Sequence, residues 1–206
     1  ETLIIDGEDQ GITLDCDGAS GTAVFFLGNG SSASSIKSLD LINASSGGIR
    51  IESTGNTIHD MVIFGNAGSG IVIDNQGGSG NNNITACKIG TDGTTDFGNA
   101  GNGITIVDSS NNAIGSLNAS DRNIISGNSG AGIFIQISGS VNTANGNRIL
   151  NNTIGMSEDG HTEMGNDSYG VYLLGAAGPA GHLDSTLIGD VAEGPGGNLI
   201  SGNGSS

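Results

Sequence analysis

The chain has 206 residues, 39 of them glycine and none tryptophan, and its 21 acidic against 5 basic side chains give a formal net charge of −16. That excess of carboxylates repels phosphate backbones and anionic headgroups, which argues against nucleic acid as a partner, and no apolar run approaches the ~20 residues that cross a bilayer. The glycines follow no collagen triplet and alternate with β-branched residues, so neither a triple helix nor disorder fits, and the length suits a single domain over 1–206.

The chain opens at Glu1 without a methionine or a basic-then-apolar leader, which reads as a processed or excerpted polypeptide. Ile12-Thr13-Leu14-Asp15-Cys16 and Ile36-Lys37-Ser38-Leu39-Asp40-Leu41-Ile42 read as early strands. From there a glycine followed by alternating aliphatics recurs five times: Gly48-Ile49-Arg50-Ile51, Gly70-Ile71-Val72-Ile73, Gly103-Ile104-Thr105-Ile106, Gly132-Ile133-Phe134-Ile135 and Gly170-Val171-Tyr172-Leu173. The shortest spacing, 22 residues, is that of one bare solenoid coil, and longer spacings mark loops.

Between these strands lie Asn56-Thr57-Ile58, Asn83-Ile84, Asn112-Ala113-Ile114 and Asn147-Arg148-Ile149, and Gly-Asn pairs recur at Gly65, Gly98, Gly127, Gly165 and Gly202. Glycine and asparagine are expected at the corners because a sharp bend needs positive φ, which they accept most readily. Alternation turns Ile49, Ile51, Ile71, Ile73, Ile104, Ile106, Ile133 and Ile135 inward, where they should stack in columns. No segment keeps helical apolar spacing for three turns without a glycine, so almost no helix is expected. The fold class that follows is all-β: a right-handed parallel β-helix of about six to seven coils with loop insertions.

A longer period overlies the short one. Ile89-Gly90-Thr91-Asp92-Gly93 matches Ile154-Gly155 through Gly160, and Arg122-Asn123-Ile124-Ile125-Ser126-Gly127-Asn128 matches Gly197-Asn198-Leu199-Ile200-Ser201-Gly202-Asn203. Two alternating insertions are therefore expected on one lateral face.

These units, Ile-Gly-Thr-Asp, Gly-Asn, Gly-Ile and Ile-Ser-Gly-Asn over residues 48–206, resemble the parallel β-helix repeat family of bacterial and archaeal surface proteins, within the pectin-lyase-like superfamily. The resemblance implies the fold. It does not choose a function, since such solenoids serve as adhesins, stalks and polysaccharide enzymes alike.

A lyase or hydrolase on this scaffold needs clustered carboxylates, or Asp-bound calcium with a basic residue. The basic set is Lys37, Arg50, Lys88, Arg122 and Arg148; resemblance to pectin-degrading enzymes would imply Asn-Thr-Asp, Asp-Asp, Gly-His-Gly or Arg-Ile-Lys elements, none of which appears, Arg50-Ile51-Glu52 and Gly181-His182-Leu183 being the nearest fragments. His59-Asp60 has the residues of a general base with its orienting carboxylate, but strand neighbours point to opposite faces, so His59 reads as a solvated side chain, and His161 and His182 lack metal-ligand spacing. No cofactor is expected; of the metal ions calcium is the more plausible, with Asp92 and Asp96 in one insertion and Glu158 and Asp159 in its equivalent, while Gly77 to Asn82 has Asn where a calcium nonapeptide has Asp.

Sequons begin at Asn29, Asn43, Asn83, Asn118, Asn151, Asn166 and Asn203; Asn118 and Asn166, then Asn29 and Asn43, are the glycosylation candidates, and Asn83 is expected to be the least accessible. Cys16 and Cys87 fall about three coils apart, on the order of 14 Å and beyond disulfide reach, so two free thiols are expected. The expected function is that of a non-catalytic extracellular or cell-surface protein, an adhesin, stalk or filament segment, with glycan ligands and head-to-tail self-association through open coil ends. A polysaccharide lyase, hydrolase or carbohydrate-binding module is the alternative. Ice binding is a third class, and the scattered threonines disfavour it.

Overall fold

The computed structural model describes all residues except 1, 9, 19–20, 76–77, 79, 140–142, 177–182, 190–195 and 205–206. The first coil runs through β1 (Ile4–Asp6), β2 (Ile12–Asp15) and β3 (Ala23–Leu27), and the second through β4 (Ser35–Lys37), β5 (Leu39–Ile42) and β6 (Gly47–Ile51). The third holds β7 (Thr57–His59), β8 (Val62–Phe64) and β9 (Ile71–Asp74), and the fourth β10 (Asn83–Thr85), β11 (Lys88–Ile89) and β12 (Ile104–Val107). The fifth holds β13 (Ala113–Ile114), β14 (Ile124–Ile125) and β15 (Ile133–Gln136). The sixth holds β16 (Arg148–Ile149), β17 (Thr153–Ile154) and β18 (Val171–Leu174), and a seventh contributes β19 (Leu187–Ile188) and β20 (Leu199–Ile200).

Each strand pairs in parallel with the strand in the same place one coil away, so the twenty strands form three sheets, A and B of seven strands and C of six. This is a parallel β-helix. A parallel pair needs a long crossover, and here the crossover is the rest of the coil.

The expected columns are present. Ile49, Ile71, Ile104 and Ile133 are consecutive register partners in sheet C, as are Ile51, Ile73, Ile106 and Ile135, and all eight are fully buried. Ile36, Ile58, Ile84, Ile114 and Ile149 make the column of sheet A, and Leu41, Ile63, Ile89, Ile125 and Ile154 that of sheet B. Each such side chain contributes roughly 1.5–3 kcal/mol on burial, which no isolated coil could collect. The helical content of the described residues is one 3-10 turn, Ala119–Asp121.

Three details differ from expectation. The glycine at the head of β6, β9, β12, β15 and β18, from Gly48 to Gly170, is not there for positive φ. A methyl group at Gly103 would lie 2.5 Å from Ile125 Cγ2 and 2.7 Å from the Gly132 carbonyl oxygen, and Gly70 and Gly132 are hemmed in by the same two kinds of atom. The constraint is close approach of sheet B to the next coil.

The second concerns asparagine, whose main place is inside, not at positive φ. Asn56, Asn82, Asn112 and Asn147 stack at the corner between sheets C and A, all fully buried, each Nδ2 of the first three donating to the next Oδ1 at 2.9–3.1 Å. Asn66, Asn99, Asn128, Asn166 and Asn203 repeat this between sheets B and C, and Asn123, Asn152 and Asn198 between A and B. A primary amide supplies both donor and acceptor, so it satisfies main-chain groups that the bend leaves without a ladder partner. The bare A-to-B bend itself is made by Ser38, Asp60, Ala86 and Asn151 at φ of 53–58°.

Third, the two insertions occupy two corners instead of one. Residues 90–98 and 155–165 leave the B-to-C corner of coils four and six, whereas residues 115–123 leave the A-to-B corner of coil five, the corner that β19 and β20 bound in coil seven.

Gly103→Ala is expected to lower stability by about 1–3 kcal/mol through overpacking, measured by chemical denaturation. Asn112→Ala removes an amide that accepts from the Asn82 side chain and donates to Ser109 Oγ and Asn147 Oδ1. Leaving those groups unsatisfied should cost about 3 kcal/mol, with the circular dichroism of the folded chain unchanged.

Candidate functional site

Alternation that buries one set of sheet C side chains sends the other set outward. Register makes one outer column of Phe26, Arg50, Val72, Thr105, Phe134 and Tyr172, and a second of Asp74, Val107, Gln136 and Leu174. The first column changes character along its length. Phe26 is 53% exposed, Thr105 is held by Ser69 and Asn102, and Phe134 stacks on Tyr172 with ring centroids 5.1 Å apart. Tyr169, just before the last sheet C strand, adds a third ring 4.8 Å from that of Tyr172. The sequence already aligns Phe134 with Tyr172 in the glycine-led repeats; the contact of Tyr169 required the corner geometry.

Arg50 stands in the same column, and its guanidinium donates to Glu52 Oε1 and Asp74 Oδ2, both at 2.7 Å. Desolvation opposes the Arg50 charge, but Glu52 and Asp74 outweigh it and raise its pKa above the ordinary value. One cation thus pairs with both neighbouring carboxylates, and the three groups together keep a single negative charge. This is where Arg50-Ile51-Glu52 falls: on the sheet C face, as a closed ion cluster.

The expected calcium residues lie at the B-to-C corner. Asp92 Oδ1 accepts from the amides of Thr94 and Thr95 and from Thr94 Oγ1; desolvation works against these bonds, yet they lower its pKa. Asp159 accepts from Ser157 Oγ and the His161 amide, which lowers its pKa also, and Glu158 pairs with Lys88 at 2.9 Å. Asp96 is raised, by desolvation first and then by the Asp167 charge. Gly93, Thr94, Ser157, Glu158, Asp159 and Thr162 line an open trough of about 390 Å³ between the two insertions. Among the described residues no three His, Cys, Asp or Glu side chains gather as a metal site.

His59 and Asp60 are not on opposite faces of a strand. Asp60 leaves the strand at φ 53°, and both line one open groove of about 510 Å³ with Asp6, Glu8, Lys37 and Ser38. Each has its own partner, however: His59 Nδ1 meets Thr85 Oγ1 at 2.9 Å, and Asp60 accepts from Ser38 Oγ at 3.0 Å. His161 Nδ1 bonds the Asp159 carbonyl at 2.6 Å. His182, and Gly77 and Ser79 of the nonapeptide-like stretch, lie outside the described residues.

Among the sequons, Asn29, Asn43 and Asn118 are exposed, and so is Asn83, contrary to expectation. Asn166 is 1% exposed and its Nδ2 donates to the Ile125 carbonyl and to Asn203 Oδ1. That nitrogen is part of the folded corner and is no acceptor for a glycan there. The sequence pattern alone could not show this, because the burying residues come from other coils.

Cys16 follows β2 in the first coil and Cys87 precedes β11 in the fourth, and both are free thiols. Burial pushes Cys87 up to about 12. Compared with family models, curated proteins and solved structures, the chain matches none.

Native protein at neutral pH should therefore take up a thiol reagent at Cys16 and leave Cys87 unlabelled until denaturant is added, as read by mass spectrometry. Because the folded pKa of Cys87 lies above its unfolded value, the stability it confers is complete below about pH 9 and is lost as pH rises toward 12. Cys87→Ser should flatten that alkaline decline in a pH series of denaturation midpoints.

Proposed function

We propose that the chain is a non-catalytic extracellular or cell-surface β-solenoid of the structural or adhesive kind, which presents the outer face of sheet C to glycans. The observation that carries this reading is the composition of that face. Its acid and base side chains, Arg50, Glu52 and Asp74, are bound to one another, and further along the axis the rings of Phe134, Tyr172 and Tyr169 stand outward. Exposed rings favour the apolar C–H faces of sugars, while a general acid or base must be within reach of substrate and able to exchange its proton. The acidic surface suits a solvated exterior, and the resemblance of the repeats to surface proteins supports the same location. Among the described residues no helix is long and apolar enough to cross a membrane.

Each coil offers the next a row of main-chain donors and acceptors, so end-to-end joining of chains belongs to the same reading. Filaments in negative-stain electron micrographs are its expected sign.

Retardation in native gels containing polysaccharide tests the glycan face. Binding without release of reducing ends is expected, with Tyr172→Ala weakening it roughly tenfold and leaving the melting temperature within a few degrees. Chain scission by the purified protein would overturn the non-catalytic reading.

A further inference from the structure

The insertion of coil four reaches in both directions along the solenoid. Backward, Phe97 stacks on Phe64 of coil three with centroids 4.5 Å apart, and the Gly98 carbonyl accepts from the Gly65 amide. Forward, it passes over coil five, whose B-to-C corner is bare: the Gly93 carbonyl accepts from the Glu158 amide at 2.9 Å, and Lys88 pairs with the Glu158 carboxylate. The coil-six insertion also touches coil five, where the Gly127 amide donates to the Met164 carbonyl at 2.9 Å. Residues 90–98 and 155–165 thus bond directly although their coils are two rungs apart, on the order of 10 Å.

We propose that these two insertions form an axial clasp that makes coils three to six one cooperative unfolding unit. A plain solenoid couples each repeat only to its neighbours, so opening can start at any rung and spread. A bond between coils four and six adds a second-neighbour coupling: coil five cannot part from either side without breaking contacts that bypass it. The alternation of corners has its reason here as well. Were every coil to carry the B-to-C insertion, a loop on coil five would occupy the space through which residues 93 and 158 meet. The main-chain contact is the principal link, since the Lys88–Glu158 pair is largely solvated, with side chains 31% and 57% exposed.

Amide hydrogen exchange by mass spectrometry on the intact chain tests this. In the wild type, the segments of β11, β14 and β17 should exchange with closely similar protection. Deleting residues 156–164 leaves Gly155 joined to Gly165 and reproduces a bare corner like that of coil five. The expected result is at least a tenfold loss of protection at β11 and β14, as well as in coil six, with the three segments no longer moving together. Phe97→Ala serves as a milder variant that keeps every loop residue else, and should loosen coil three relative to coil four severalfold. If the deletion accelerates exchange only within coil six, or if β11, β14 and β17 differ widely in the wild type, the clasp does not couple the coils and the proposal fails.

Discussion

Main-chain hydrogen bonding from each coil to the next governs everything else in this molecule. Because β4 bonds β7, β7 bonds β10 and so on through three sheets, every coil must trace the same cross-section as the one below it. Inward positions then see the same environment at every rung, which is why isoleucine fills them so uniformly. A change of size at one rung would be felt by the columns above and below, since the core is close-packed. Freedom to vary is left to the insertions and outer faces.

The corners pose the harder problem. A chain that turns from one sheet to another carries amides and carbonyls that point into the body of the solenoid, and water does not reach them. Asparagine answers this because its side chain is itself an amide. Asn112, for example, accepts from the main-chain and side-chain nitrogens of Asn82 and donates to Asn147, extending between sheets the kind of ladder that strands make within them. Gly65, Gly98, Gly127 and Gly202 make bends at φ of 63–75°, while the glycines that lead the sheet C strands answer a different need, the lack of room between a sheet B isoleucine and the carbonyl of the next coil. Glycine and asparagine look alike in the sequence as turn formers, yet the asparagine of a pair such as Gly65-Asn66 bonds inward while its glycine bends the chain.

The same economy shapes the functional surface. With the interior committed to columns, binding must use what alternation sends outward, and sheet C shows two outward columns from coil three to coil six. Its chemistry is graded along the axis, from Phe26 through the Arg50 cluster to the stacked rings of Phe134 and Tyr172. Insertions at the other corners add mass on alternate rungs. Two of them, at residues 90–98 and 155–165, are placed where they meet each other.

The sequence by itself determined the class of fold, because period-two alternation after a recurring glycine at coil-length spacing leaves parallel coils as the way to bury the isoleucines. It also determined which side chains form the columns, and it aligned Phe134 with Tyr172. Only the tertiary structure decided what depends on atoms of neighbouring coils: that Gly103 faces Ile125 and Gly132, that Asn166 is sealed within a ladder, that Asp60 turns out of its strand beside His59, and that the insertions divide between two corners. Alternation is a local property of a few consecutive residues. Burial and close approach at a corner are set across gaps of 22 to 49 residues, and pattern within one coil carries no record of them.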